Sequence, residues 1–272
     1  MATRLFEGKG HASVYKKYRF SPPQEIQDLI FNYLGERLTK PYELAVDVGC
    51  GTGQNSRILV PYFKNVIGID ISEAQIEEAK TSDKGIPNLN YIVSPAEICP
   101  VDDVSVDLLT ACVAVHWFNI ETFLKEVDRI LKPGGCLAFF TYSLGMEVHY
   151  KDRSEQMIKV FNEVQDILAQ YQNEKVEHIK TGYREIFEAI PYMDKKRIEN
   201  IITKSPMSIG EILGLIQTFS MYQSYLKVEP EKAKELLETT EQRFLEIMGV
   251  TSLDTSVELW LHNVCVLASK PK

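Results

Sequence analysis

The chain has 272 residues, 44% of them hydrophobic and 25% charged, which suits one large domain with a sizeable core. Its net charge of −8 argues against a nucleic-acid polyanion as the main partner. No apolar run approaches the ~20 residues that cross a bilayer, so no membrane association is expected.

The N-terminal segment lacks the apolar core of a signal peptide, and the five cysteines are scattered with no C-x-x-C spacing. Reduced thiols and a cytoplasmic location are the expectation. The five histidines are equally dispersed, so no metal site is expected.

Pro22 and Pro23 suit the start of a helix over 22–38, where Ile26, Leu29, Ile30, Tyr33 and Leu34 recur at helical spacing. After Pro41, residues 44–48 predict a short strand that is apolar enough to be buried on both faces. A glycine-rich turn follows, then a helix over 56–63. Residues 65–70 predict a second strand, and Ser72 a cap for a helix over 73–81. A third strand is predicted at 90–93 and a fourth at 106–113. An amphipathic helix over 120–131 then runs into Lys132-Pro133-Gly134-Gly135, which turns the chain into a fifth strand at 136–142.

Five alternations of strand and helix predict βαβ units around a parallel sheet, with right-handed crossovers placing helices on both faces. The rhythm changes after residue 150. A long helix is predicted over 154–172, a strand over 196–203, helices over 208–226 and 230–248, and a closing strand over 257–269. The fold expected is α/β: a doubly wound, mostly parallel, seven-stranded sheet with helical cap insertions.

The turn after the first strand reads Asp47-Val48-Gly49-Cys50-Gly51-Thr52-Gly53-Gln54. A strand, a glycine-rich turn and a helix make a nucleotide site, because bare backbone and free N–H groups approach the ligand. The dinucleotide fingerprint wants a third glycine at position 54, where this chain has Gln54, and the Lys-Ser/Thr ending of a phosphate loop is also missing.

An acid inside the first strand with glycines at alternate positions resembles the first motif of class I S-adenosylmethionine-dependent methyltransferases. The resemblance implies S-adenosylmethionine as cofactor and a Rossmann-like sheet. It implies that Asp47 receives the ammonium end, directly or through water, and that Gly49, Gly51 and Gly53 make room for the body of the cofactor. Asp70, ending the second strand, is placed to accept both ribose hydroxyls. Ile71 flanks the adenine, with Ser94-Pro95-Ala96-Glu97 as the loop at its edge. Asp107 reads as a structural turn or cap residue. Residues 129–135, Arg-Ile-Leu-Lys-Pro-Gly-Gly, match the family's turn into strand five.

Three further stretches resemble the trans-aconitate methyltransferase-like branch. They are Ala114-Val115-His116-Trp117-Phe118 after strand four, Tyr15-Lys16-Lys17-Tyr18-Arg19-Phe20-Ser21-Pro22, and Thr218-Phe219-Ser220-Met221-Tyr222. Ala114 then faces the methyl group. This branch implies a small-molecule substrate and points toward a carboxylate; the departures after Arg19 and at Phe219 leave the acceptor open. A carboxylate is ionised at neutral pH and needs a cation to hold it, a role that suits Arg19. His116 holds the substrate, or serves as base if the acceptor carries a proton. Tyr18 and Tyr222 are candidates to close the pocket.

In this reading residues 1–272 form one domain. Residues 1–40 are a lid and helix, and 41–142 the cofactor-binding core. Residues 143–194 and 207–249 are cap insertions, and 195–206 and 256–269 the closing strands. Two alternatives stand beside it: an NAD(P)-dependent oxidoreductase and a non-catalytic S-adenosylmethionine-binding partner subunit. Methylation of RNA or protein is not expected, because no Asn-Pro-Pro-Tyr-type motif is present. Oligomeric state is not readable.

Overall fold

The computed structural model of the protein describes Val14, residues 17–19 and residues 21–272. The expectations for Tyr15, Lys16, Phe20 and residues 1–13 lie outside the described residues. Helix α1 (Gln24–Gly35) begins after Pro23 and buries Ile26, Ile30, Tyr33 and Leu34 along one stripe.

Strands β1 (Tyr42–Val48), β2 (Phe63–Asp70), β3 (Leu89–Val93), β4 (Val106–Cys112) and β5 (Leu131–Tyr142) lie in the order β3-β2-β1-β4-β5. Each neighbouring pair is parallel. Residues 106–111 of β4 are all buried, as expected of a central strand covered on both faces. Crossovers run through α2 (Gln54–Leu59), α3 (Glu73–Ser82) and α4 (Ile120–Ile130). Ser72 caps α3 by accepting from Gln75 N–H, and Asn119 caps α4 by accepting from Thr122 N–H. The winding reverses between β1 and β4. Doubly wound sheets bind ligands at such a switch point, beyond the carboxyl ends of the strands.

The far side of the sheet is antiparallel. Strand β8 (Ser256–Ser269) pairs with β5 from Cys136 opposite Ser269 to Tyr142 opposite Asn263. Along its other edge runs β7 (Lys195–Ser208), antiparallel over nearly its whole length. The described sheet has eight strands where seven are expected. The extra strand, β6 (Glu147–His149), pairs with Glu258–Trp260 of β8 and continues the line of β5. Three residues are too few to set up an alternation that a sequence pattern can reveal.

The remaining helices are α5 (Ser154–Ala169), α6 (Glu177–Lys180), α7 (Arg184–Ala189), α8 (Ile209–Gln217), α9 (Ser220–Val228) and α10 (Pro230–Met248). The helix expected over 208–226 is thus two helices. Phe219 is extended between them, with φ −68° and ψ 135°. The Thr218 hydroxyl donates to the Leu215 carbonyl at 2.6 Å, and the Arg19 guanidinium reaches both the hydroxyl and the carbonyl of Thr218. A contact to a residue 199 positions away marks the break, which no local propensity announces.

The core divides by face. One apolar cluster lies under α1, α5 and α8–α10, a second under α4 and α7, and a small third joins Ile76 and Ala79 of α3 to Cys50 and Tyr91. No helix among the described residues is long and apolar enough to cross a membrane.

Candidate functional site

Three adjoining cavities open beyond β1 and β4, and Val113 lines all of them. Val113 holds a left-handed φ of 51°, a costly backbone for a β-branched side chain, while its N–H donates to the Phe140 carbonyl at 2.7 Å.

The first cavity is lined by Gly49, Gly51, Asp70, Ile71, Ala96, Glu97 and Ala114, together with Gln75, Trp117 and Phe118. Two backbone N–H groups fix the Asp70 carboxylate: Gly51 N–H reaches Oδ2 at 2.9 Å and Ser72 N–H reaches Oδ1 at 2.9 Å. Glu97 lines the same cavity and accepts from Asn119 N–H at 2.7 Å, so it also helps seat the start of α4.

The three glycines have φ of 68°, 55° and 86° at Gly49, Gly51 and Gly53, where L side chains are strained. What their bare Cα atoms make room for differs. A Cβ on Gly53 would stand 2.1 Å from the Tyr91 hydroxyl, and one on Gly49 would stand 2.5 Å from Ala114 Cβ. Gly53 lines none of the three cavities. Its missing side chain leaves space for Tyr91, whose hydroxyl donates to Asp83 at 2.5 Å, while Asp83 also pairs with Arg57 at 3.0 Å. Gly51 faces the first cavity directly.

The second cavity lies between Asp47, Gly49, Gln54, Asn55 and Arg19. Asp47 is fully buried, and both carboxylate oxygens are engaged inside the fold. Asn55 Nδ2 donates to Oδ1 at 2.7 Å, Thr110 Oγ1 donates to Oδ1 at 2.9 Å, and Ser56 Oγ donates to Oδ2 at 2.6 Å. Burial pushes the Asp47 carboxyl up, against the pull of these three donors. Asp47 ties β1 to α2 and β4. Asp107 is the brace that its sequence suggests: it accepts from the N–H groups of Glu43 and Leu44 and pairs with Lys132 at 2.7 Å.

The third cavity, of ≈ 310 Å³, is bounded by Arg19, His116, Tyr142, α5 and the α8–α9 break. Its walls are mostly apolar, with Leu144, Met146, Ile179, Phe219 and Met221 among them. Arg19 donates to Thr218 Oγ1 at 2.9 Å and to the Tyr142 hydroxyl, and stacks over the Phe219 ring at 5.5 Å. Tyr18 lies against Gly214 of α8, and Tyr222 is buried in the core beneath α9; neither lines any of the three cavities.

Among the described residues, four buried side-chain polar atoms have no hydrogen-bond partner: Gln54 Nε2, Gln75 Oε1, Gln172 Oε1 and Asn263 Oδ1. The first three belong one to each cavity: Gln75 to the first, Gln54 to the second and Gln172 to the third. An unpaired buried amide atom costs about 1–3 kcal/mol, so each cavity carries a standing demand for a polar ligand group. No motif singles out any of these glutamines as a site residue. A signal exists only at Gln54, which occupies the place of the third glycine in a dinucleotide fingerprint.

His116 is 3% exposed, lies in the turn Val115–Trp117 and lines the third cavity. Burial, with the neighbours His178, Arg19 and Lys175, pushes its pKa down to about 3. The unfolded chain therefore takes up a proton near pH 6.5 that the native state refuses until about pH 3. Stability from this group falls as pH drops through that window. Replacing His116 by Gln is expected to remove about 2 kcal/mol of the stability lost between pH 6.5 and about pH 5, measured by urea unfolding at both pH values.

Comparisons with known proteins give one consistent answer. The family model of the methyltransferase domain matches residues 46–139. A Dictyostelium discoideum protein named as a methyltransferase is 30% identical over 243 residues, covering 89% of this chain and 86% of that protein. A Saccharomyces cerevisiae protein named as an S-adenosylmethionine-dependent methyltransferase is 28% identical over 210 residues, 69% of this chain and 72% of that one. A solved structure from Anaeromyxobacter dehalogenans, named as a type II methyltransferase, shares the fold with a TM-score of 0.72 at 24% identity, over 94% of this chain and 100% of that one. Because the relationship runs through nearly the whole chain and not the glycine turn alone, the chain belongs to the class I S-adenosylmethionine-dependent methyltransferase family.

Proposed function

We propose that this methyltransferase transfers its methyl group in line to a small-molecule carboxylate held in the third cavity. The observation that carries the reading is the meeting of three cavities at Val113, with a cation, Arg19, on the wall shared by the second and third. The likeness of residues 114–118 and 218–222 to the trans-aconitate-like branch supports the same acceptor class.

The residues of the first two cavities fit S-adenosylmethionine. Gln75 Oε1 is an unmet acceptor on the nucleoside side, where hydroxyl and amino donors would lie. Gln54 Nε2 is an unmet donor on the tail side, where a carboxylate would lie. Asp70 would take the ribose hydroxyls, with Ile71, Ala96 and Glu97 around the adenine. Asp47, its oxygens already engaged, would act on the tail ammonium through Asn55 and water. What S-adenosylmethionine supplies when bound is a methyl group already activated on a sulfonium, so alignment carries much of the rate.

The chain's remaining task is to hold and desolvate the acceptor. Arg19 would pair with an anionic acceptor, and its planar fork is itself fixed by Thr218 and Tyr142. Leu144, Met146, Val176, Ile179, Phe219 and Met221 supply apolar walls that would keep water from the reacting atoms. In this reading residues 41–142 bind the cofactor, while 143–194 and 207–249 cap the acceptor.

Incubation with methyl-labelled cofactor and a panel of small acids, amines and thiols tests the acceptor class; transfer to an amine or thiol in preference to every acid would overturn it. Arg19→Ala is expected to raise KM for an acidic acceptor about 10–100-fold, from the loss of one charge-assisted pairing, while leaving cofactor affinity in place. A loss of cofactor affinity with KM unchanged would reassign Arg19 to the cofactor tail.

A further inference from the structure

We infer that the Tyr183 hydroxyl fixes His116 as a neutral hydrogen-bond donor into the acceptor cavity, so that the site works on an oxyanion and His116 is not a general base. The inference rests on the reading of the third cavity as the acceptor site. It makes Tyr183 a positioning residue that acts through His116.

The two side chains come from distant parts of the chain. His116 lies in the turn after β4, and Tyr183 lies between α6 and α7. His116 Nδ1 and the Tyr183 hydroxyl are 2.8 Å apart, and both residues are buried. Tyr183 is held there at a left-handed φ of 58°, next to Gly182 at φ 58°. Two successive left-handed residues end α6 sharply and turn the phenol inward, an arrangement an aromatic residue adopts only against steric cost.

The direction of this hydrogen bond decides the chemistry. A phenol oxygen has one proton to give and two lone pairs to fill. Among the described residues, the hydrogen bond made by the buried Tyr183 hydroxyl is the one to His116 Nδ1, while the Thr141 hydroxyl donates to the Tyr142 carbonyl at 3.4 Å. A buried O–H left without an acceptor is costly, so the hydroxyl gives its proton to the acceptor within reach, His116 Nδ1. Nδ1 is then an acceptor, and the ring proton resides on Nε2, the nitrogen left to the third cavity that His116 lines.

Charge points the same way. The groups around the imidazole are Arg19 from the N-terminal segment, Lys175 and His178 from the stretch before and within α6, and Tyr183 beyond it, with Asp166 of α5 and Lys180 of α6 lining the same cavity. Lys175 Nζ donates to the Trp117 carbonyl at 2.6 Å, so a cation is fixed one residue from His116. His178 is turned toward Glu185 at 2.9 Å. Burial and the nearby cations Arg19 and Lys175 act against an imidazolium. A ring that resists protonation in this way cannot hold a proton taken from an acceptor, because an effective base has a pKa near the working pH.

The transfer then balances without a proton. A lone pair on the acceptor oxygen forms the new bond to the methyl carbon as the carbon–sulfur bond breaks onto sulfur. The oxyanion becomes a neutral ester, and the sulfonium becomes a neutral thioether. An amine, alcohol or thiol would need a proton removed, and His116 as placed donates instead of accepting. Arg19 and His116 Nε2–H would together hold the acceptor's oxygens.

The tautomer is directly observable. In the full chain labelled with ¹⁵N, with S-adenosylhomocysteine added, the His116 ring signals are assigned by their disappearance in His116→Gln. The expected result is a protonated Nε2 and a bare Nδ1, unchanged from about pH 8 to about pH 5. A protonated Nδ1, or titration of the ring near its ordinary value, would overturn the inference. In Tyr183→Phe the lock is lost, and the Nδ1–H form is expected to rise from undetected to a measurable minority; an unchanged tautomer would remove Tyr183 from the role. Failure of S-adenosylhomocysteine to bind by calorimetry would instead strike the functional reading, and the tautomer of the free protein would still judge this one.

Discussion

Gly51→Val is expected to lower the affinity for S-adenosylhomocysteine at least about 100-fold in isothermal calorimetry, while leaving a folded chain. Gly51 lines the first cavity and holds φ at 55°. A β-branched side chain at that φ strains the backbone by about 1–3 kcal/mol, which is a fall of about 2–10 °C in Tm for a chain this long. The added carbons also enter the cavity where the cofactor would lie. The same N–H that reaches Asp70 would shift with the strain, so the carboxylate loses part of its orientation as well.

Gly53 supplies the contrast that gives the result meaning. A Cβ there meets the Tyr91 hydroxyl at 2.1 Å and the ring carbon bearing it at 2.8 Å. Tyr91 cannot swing away freely, because Asp83 holds its hydroxyl and the ring lies flat against Gly68, where a Cβ would be 2.5 Å from it. Gly53→Ala should therefore unfold at lower temperature than Gly51→Val yet bind cofactor better per folded molecule. Affinity lost equally in both would mean that the turn acts as one unit, and Gly51 would have no special claim on the ligand.

The pair also shows what the sequence made legible. Alternate glycines after a buried strand announced a ligand turn, because few other pressures place three left-handed positions so close together. The local pattern could not say which glycine clears space for a ligand and which for Tyr91, since Tyr91 comes from the third strand of the sheet. The five parallel strands were readable from apolar runs between helical stretches. Strand β6 and the α8–α9 break were not, because a β8 edge and an Arg19 contact mark them, and both partners are remote in sequence.

The site divides along the same line. Asp70, Ile71, Ala96, Glu97, Ala114, Arg19 and His116 were each named from a strand end or a motif, and all of them line a cavity. Tyr18 and Tyr222 were named from wording alone, and their rings pack on Gly214 and in the core. Gln75 and Gln172 carry no such mark, and Gln54 is marked only by standing where a dinucleotide fingerprint wants glycine. A glutamine in a helix or turn reads as an ordinary polar residue until its burial and its missing partner are known. Tyr183 left no trace at all, because its bond to His116 spans 67 residues.

Asp70→Ala is expected to weaken S-adenosylhomocysteine binding by about 100-fold or more, the equivalent of two hydrogen bonds to a charged acceptor at about 1.5–3 kcal/mol each. A bare loss of affinity would not establish a contact with ribose. Asp70 also accepts from Gly51 N–H and Ser72 N–H, each at 2.9 Å, so its removal frees the glycine turn and the first turn of α3 together. The two causes separate in a cycle that varies the ligand as well as the protein. The wild-type chain should prefer S-adenosylhomocysteine over its 2′,3′-dideoxy analogue by the full hydrogen-bond increment. In Asp70→Ala that preference should nearly vanish, because the partner of the missing hydroxyls is gone. If the mutant still discriminates between the two as the wild type does, the ribose hydroxyls are held elsewhere, and Asp70 serves only to shape the turn.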